Sequence, residues 1–192
     1  MEEKFKIGVI VASTRPTRNG KQIADWVKLS TDQDEKAEYT YLDLAEINLP
    51  FLNEPETPSA GHYTMESTKA WAAQVAAQDG FLIITPEYNH GYPASLKNAI
   101  DTVYAEWAKK PVAYVGYGVM GAARSIEQLN NVLLQIHMHP IVSASTNILI
   151  FDHLNENGQF VPAEKHQKSL EYTLSQLHDW TGLLRKARLA QA

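Results

Sequence analysis

The chain has 192 residues, 44% hydrophobic and 20% charged, a length and composition that suit one globular domain with a sizeable core. Its net charge of -5 offers no basic surplus for nucleic acid and no polybasic patch for a membrane surface. It contains no cysteine, which excludes disulfides, thiolate metal sites and cysteine nucleophiles. No apolar run approaches the roughly 20 residues of a membrane helix, and the N-terminus leads into a strand without a signal-peptide core. A cytoplasmic protein is the expectation.

Residues 5–12 are β-rich and nearly continuous in apolar side chains, the pattern of a central parallel strand covered on both faces. A polar loop follows at 13–21. Apolar residues at 23, 24, 26, 27 and 29 then predict an amphipathic helix over 22–29. A second strand is expected over 40–44, with a start as early as Ala37. Residues 45–63, with Pro50, Pro55 and Pro58, read as an extended surface loop, and loops of that length are often functional. A helix is expected over 65–78 and a buried strand over 80–84. The sequence then turns through Thr-Pro-Glu-Tyr-Asn-His-Gly-Tyr at 85–92, and Pro93 opens a helix expected over 94–107. Residues 111–117 predict a fourth strand, 118–123 a flexible turn, and 124–138 a helix that Pro140 stops. A fifth strand is expected from 141–144 and 148–151, interrupted at 145–147. A turn at 155–158 precedes one long amphipathic helix over 163–189.

Strands alternating with helices predict an α/β sheet with right-handed crossovers. Five strands in a chain of this length suit the flavodoxin-like order 2-1-3-4-5, a three-layer sandwich around a parallel sheet, with 1–192 as a single domain. Ligands in such sheets bind where the strand order reverses, here beyond the ends of strands 1 and 3. Those strands carry the two polar loops.

The first loop offers Ser13, Thr14, Arg15, Thr17, Arg18, Asn19 and Lys21 ahead of a helix. Free N–H groups and partial positive charge at a helix start attract anions, and an arginine fork suits phosphate. Two readings stand, a monophosphate site and a solvated cap and turn. The Walker spacing and the Gly-x-Gly-x-x-Gly turn are both absent. A tyrosine-phosphatase reading fails for want of a cysteine. A response-regulator reading fails because Ser13-Thr14 and Thr85-Pro86 stand where acids are needed.

Ser-x-Arg after strand 1, Pro-Glu-Tyr-Asn after strand 3 and the following Pro-x-x-Leu-Lys-Asn-Ala-Ile-Asp resemble the NADPH-dependent FMN reductase family, which includes quinone, azo-dye and chromate reductases. The likeness covers roughly residues 5–150. A third element, Gly-Ala-Ala-Arg-Ser-Ile-Glu-Gln-Leu within 118–129, resembles the family's Gly-Gly-x-Arg-Ala-x-x-Gln-Leu but departs at the second glycine and at Val119-Met120. The resemblance implies that Ser13, Arg15, Asn19, Gly20, Lys21 and Gln22 surround the phosphate of FMN, with Arg18 as an extra contact. It implies that Pro86, Glu87, Tyr88, Asn89 and Gly91 wrap the edge of the isoalloxazine ring through backbone groups. Tyr117, Gly118 and Gly121 would border the ring from the third loop. A helix N-terminus near Ala122 is expected to stabilise the electron density that reduction places on ring N1 and O2.

The resemblance further implies ping-pong chemistry, with hydride passing from NADPH or NADH to flavin N5 and then to a quinone, azo, free-flavin or metal-ion acceptor. No side chain is assigned as a catalytic acid or base, and no metal ligand is assigned. His137 and His139, at i and i+2, do not share a helix face. His90 borders the acceptor site or does nothing. Glu87 reads as a turn residue and Lys97 as half of a structural salt bridge. Trp26, Trp71, Trp107 and Trp180 read as core or interface, with Trp107 a candidate dimer contact. The expected partners are a small-molecule electron acceptor and further copies of the chain, as a homodimer or homotetramer, with no nucleic acid and no membrane. Two rival readings are a flavodoxin-type electron carrier, which Arg15 and Arg18 argue against, and a non-catalytic flavin-binding redox sensor.

Overall fold

The computed structural model describes residues 3–190. Its strands are β1 (Phe5–Val11), β2 (Ala37–Asp43), β3 (Gly80–Pro86), β4 (Pro111–Gly118) and β5 (His139–Leu149). They form one sheet in the order β2-β1-β3-β4-β5, and every neighbouring pair is parallel. The helices are α1 (Asn19–Thr31), α2 (Leu44–Ile47), α3 (Glu66–Ala76), α4 (Ala94–Asp101), α5 (Ala123–Gln135) and α6 (Glu164–Leu189).

Side chains alternate between the faces of a strand, and here both faces are apolar. Ile10, Phe81, Ile83, Val112 and Tyr114 point to the layer of α3, α4 and α5. Val9, Val11, Leu82, Ile84, Ala113 and Val115 point to the layer of α1 and α6. That double burial explains the unbroken apolar runs of β1, β3 and β4.

Several boundaries differ from the sequence pattern, each for a local reason. Helix α1 starts three residues early, at Asn19, because Gly20 is already buried against the ring of Tyr117. The chain enters it through a turn closed by Arg18 N–H donating to Arg15 O at 3.2 Å. Strand β5 runs unbroken through Ser145-Thr146-Asn147, and its irregularity falls earlier, opposite Val112 and Tyr114. Thr146 is tolerated in the buried strand because its hydroxyl meets that of Thr173 on α6 at 3.0 Å and accepts from Ser169 at 3.2 Å.

The helix expected over 94–107 ends at Asp101, and residues 105–107 form a separate 3-10 turn. That turn folds Trp107 inward. Trp107 is only 1% exposed, lies 5.0 Å from Phe81 and 6.0 Å from Trp71 by ring centroid, and its indole N–H donates to Ile100 O at 3.1 Å. It is a core residue, so its candidacy as a dimer contact is corrected.

Most of 45–63 is irregular but well tethered. Asp43 caps α2 by accepting Ala45 N–H at 3.0 Å. Asn98 on α4 clasps the next segment from both sides, donating to Pro50 O at 2.8 Å and accepting from Leu52 N–H at 3.0 Å. Glu54 accepts from Thr64 N–H, Thr64 Oγ1 and Met65 N–H at 2.7–2.9 Å.

Trp107→Ala removes a buried, hydrogen-bonded aromatic and is expected to cost about 3–5 kcal/mol. A urea titration reads this as a lower midpoint at unchanged slope. A loss below about 1 kcal/mol would contradict the packing described.

Candidate functional site

Strands β1 and β3 lie side by side, and Ala12 N–H donating to Ile84 O at 3.0 Å is the last ladder bond between them. Beyond it the chains part. The segment 13–18 leads to α1 on one face of the sheet, and 87–93 leads to α4 on the other. Ser13 and Tyr88 bridge the gap, hydroxyl to hydroxyl at 2.7 Å. Ser95, in the first turn of α4, donates to Ala12 O at 2.7 Å and holds the floor together.

The wall of the crevice is Tyr117, at the end of β4. A Cβ added to Gly20 would sit 2.7 Å from its hydroxyl oxygen, so only glycine lets α1 approach this closely. The Tyr117 hydroxyl is buried and makes no hydrogen bond of ordinary geometry among the described residues, although Ser13 Oγ and Gly20 N–H lie beside it. Burial, and next the neighbouring Tyr88, push its phenol above the usual range, so the group stays a neutral donor.

Arg18 lies on the same side. Its Nη2 pairs with Asp43 Oδ2 at 2.7 Å, the two side chains being 14% and 8% exposed, while its Nε is buried without a partner. Among the described residues four buried side-chain atoms lack a partner, and two of them, Arg18 Nε and Tyr117 Oη, fall at this crevice. Arg15 is exposed, and no partner for its guanidinium is found among the described residues. Helix α1 has no side-chain N-cap and no acid in its first turn, so its leading N–H groups stay available. Orphaned donors, a free guanidinium and a helix start together fit a phosphate-sized anion.

The remaining first-loop residues divide. Asn19 is the first residue of α1, and among the described residues its Oδ1 has only a long 3.5 Å contact from Gln22. Lys21 is turned to solvent in an i,i+4 pair with Asp25. Gln22 spends its side chain elsewhere, donating to Gly158 O at 3.2 Å and accepting from Phe160 N–H at 2.8 Å. Its expected place at the phosphate is therefore reduced to its backbone N–H.

Beyond β3, Tyr88 and Gly91 exchange both backbone hydrogen bonds at 2.8 and 2.9 Å. Asn89 and His90 turn between them with φ of 50° and 69°, the left-handed pair of a tight turn. This leaves the amides at the turn's tip without partners among the described residues. Pro86 pairs with Tyr117 in the sheet, and its carbonyl accepts from Ser125 Oγ at 3.1 Å. Gly118 has a φ of 146° and lies beside Glu87. Gly121 instead packs on β5, where an added Cβ would be 2.9 Å from Asn147 Cβ, and its carbonyl accepts from Asn147 Nδ2 at 2.7 Å. It shapes the turn and does not line the crevice.

The helix end expected to stand open near Ala122 does not. Helix α5 begins at Ala123 after a left-handed Ala122, and Glu87 accepts Arg124 N–H at 3.2 Å. Burial alone would raise the Glu87 carboxyl. Arg124 and the α5 amides outweigh that and hold it below the usual carboxylate range. Arg124 and Asp43 are the site-forming side chains that pattern reasoning missed. Asp43 was findable, because parallel pairing places it opposite Val11 at the same sheet edge. Lys97 pairs with Asp101 at 2.5 Å. His139 stacks on Trp180 with centroids 4.2 Å apart.

Residues 5–149 match the family described as NADPH-dependent FMN reductase. An NAD(P)H-dependent FMN reductase of Schizosaccharomyces pombe is 41% identical over 145 residues, covering 73% of this chain and 72% of its own. One from Saccharomyces cerevisiae is 35% identical over 155 residues, covering 75% and 81%. A 2-hydroxy-1,4-benzoquinone reductase of Burkholderia is 31% identical over 129 residues, covering 65% and 66%. Among solved structures, the flavoenzyme NAD(P)H:(acceptor) oxidoreductase FerB of Paracoccus denitrificans superposes with a TM-score of 0.72 at 23% identity, over 93% of this chain and 97% of its own. That likeness shows the fold.

Tyr117→Phe removes an unsatisfied buried hydroxyl. The ligand-free variant is expected to be as stable as wild type or up to about 1 kcal/mol more so, while the thermal stabilisation by inorganic phosphate shrinks. Melting curves with and without phosphate check both. A clear loss of ligand-free stability would mean that the hydroxyl is already satisfied.

Proposed function

The chain belongs to the NADPH-dependent FMN reductase family, and from that premise we propose that residues 1–192 form one FMN-binding domain that reduces a small quinone with NAD(P)H. The observation that carries the reading is the pair of orphaned buried donors, Arg18 Nε and Tyr117 Oη, at the start of an uncapped helix. In this reading Ser13, Arg15, Arg18, Asn19, Gly20 and Tyr117 hold the FMN phosphate, with the backbone of Lys21 and Gln22 completing the helix start. The backbone of Pro86, Glu87, Tyr88, Asn89, Gly91 and Gly118 borders the ring.

Bound FMN supplies two-electron chemistry between a nicotinamide and an acceptor. This chain's part is to bind and orient. The Ser13–Tyr88 bridge fixes the floor, and the tight turn at 88–91 presents backbone donors to a polar ring edge. In this reading the apolar pair Val119 and Met120, 70% and 54% exposed and directly after Gly118 in the chain, forms a rim of the mouth. An apolar rim suits a flat, weakly polar acceptor, which favours a quinone of the kind that names the Burkholderia relative. The flavodoxin-type carrier is not favoured, because the relatives are reductases that take nicotinamide.

We also propose a cytoplasmic homodimer or homotetramer. Net charge supports a dissolved protein, and among the described residues no helix is long and apolar enough to cross a membrane. Exposed Phe51 and Leu52 beside α4 offer apolar surface for a second copy.

Anaerobic NADPH or NADH is expected to bleach the absorbance of protein-bound FMN, and a quinone to restore it. Bound FMN that neither nucleotide bleaches would return the carrier reading. Arg15→Ala is expected to weaken FMN binding by about 1.5–3 kcal/mol, roughly 10- to 150-fold, in a fluorescence-quenching titration. Unchanged affinity would remove Arg15 from the phosphate site.

A further inference from the structure

The end of β3 and the start of α5 share a charged cluster to which the reading above gives no task. The Glu87 side chain is 6% exposed. Its Oε1 accepts from Arg124 Nε at 2.5 Å and pairs with Nη2 of the same guanidinium. Its Oε2 accepts Arg124 N–H at 3.2 Å. Arg124 Nη1 meets His90 Nε2 at 2.8 Å. Arginine has only donors, so that histidine nitrogen accepts.

One carboxylate thus faces two sources of positive charge, a guanidinium and the leading amides of α5. A helix start is equivalent to roughly half a unit charge. The cluster lies under both backbone segments proposed to border the ring, since a Cβ placed on Gly118 would be 3.8 Å from Glu87 Cβ and from Glu87 N. A carboxylate this buried is poorly screened by solvent, so its charge is felt locally.

We propose that Glu87 and Arg124 are an opposed charge pair that sets the reduction potential of the flavin, with Glu87 cancelling the positive field of Arg124 and of the α5 start. The proposal rests on the FMN-binding reading. Reduction adds negative charge to the ring, so an uncompensated cation nearby favours the reduced form and an uncompensated anion the oxidised form. Glu87 and Arg124 are positioning residues in this account, because they act on the ring through the field.

The test is the midpoint potential of bound FMN in the full-length holoprotein, read by dye equilibration at one fixed pH. Glu87→Gln is expected to raise it and Arg124→Gln to lower it. Each shift should change the reduced-to-oxidised ratio about tenfold, which is about 30 mV for a two-electron couple. The double variant should return to within about threefold of wild type, since it removes both members of the pair. Arg124→Lys keeps the charge and loses the fork, so it should stay near wild type and guards against misfolding of Arg124→Gln. Shifts of one sign in both single variants, or no shift in either, overturn the proposal. FMN titrations of the same preparations separate the two layers. Wild type that binds no FMN overturns the flavin reading and this proposal with it, whereas normal binding with unmoved potentials overturns the charge role alone.

Discussion

The site depends on one topological constraint. Two neighbouring parallel strands, β1 and β3, feed crossovers that leave in opposite directions. Right-handed connections send β1 through α1 to β2 on one side, and β3 through α4 to β4 on the other. Ile23, Trp26 and Val27 of α1 pack under one face, and Leu96, Ala99 and Ile100 of α4 under the other. The chain cannot close the gap between them with backbone bonds. What closes its floor is side-chain chemistry, the hydroxyls of Ser13 and Tyr88 and the Ser95 bond to the Ala12 carbonyl. Above that floor lie two buried donors, Arg18 Nε and Tyr117 Oη, that have no hydrogen-bond partner among the described residues.

The residues around that gap are themselves held by outside partners. Asp43 uses one oxygen on Arg18 and the other on the amide of Ala45, so the same carboxylate orients the arginine and starts α2. Gln22 fastens the first turn of α1 to the turn before α6 at both of its amide atoms. Phe160, whose N–H Gln22 receives, packs edge-on against Trp26 at 5.6 Å. Buried donors without partners have a cost, and this surrounding fastening keeps them in place.

The order of elements, the sheet topology and the two loops at the reversal point were legible in the sequence, because apolar runs bounded by glycine and proline report buried strands directly. Most of the misreadings involve contacts distant in sequence. Ser145-Thr146-Asn147 looks like a break, yet Thr173 and Ser169 of α6 satisfy Thr146 and the strand continues. Gln22 looks like a loop ligand, yet its amide is bonded to residues 136 and 138 positions away. Trp107 sits at an apolar helical spacing that fits core and interface equally, and only the short turn after Asp101 aims it inward. Glu87 reads as a turn residue from its neighbours. Its partner Arg124 lies 37 positions on, and no local pattern announces a carboxylate that caps a helix beyond the next strand.

The far end of α6 has a different consequence. Arg185 pairs with Glu3 just before β1, and Arg188 bonds to Lys109 O and Asp79 just before β4 and β3. The start of β1 and the end of α6 therefore lie together at one rim of the sheet, and the crevice lies at the other. Seven residues of β1, at about 3.3 Å each, put roughly 23 Å of strand between the two rims. A tether to a bead, an electrode or a fused protein, attached beside Glu3 or beyond Leu189, would hold the molecule with its mouth facing outward.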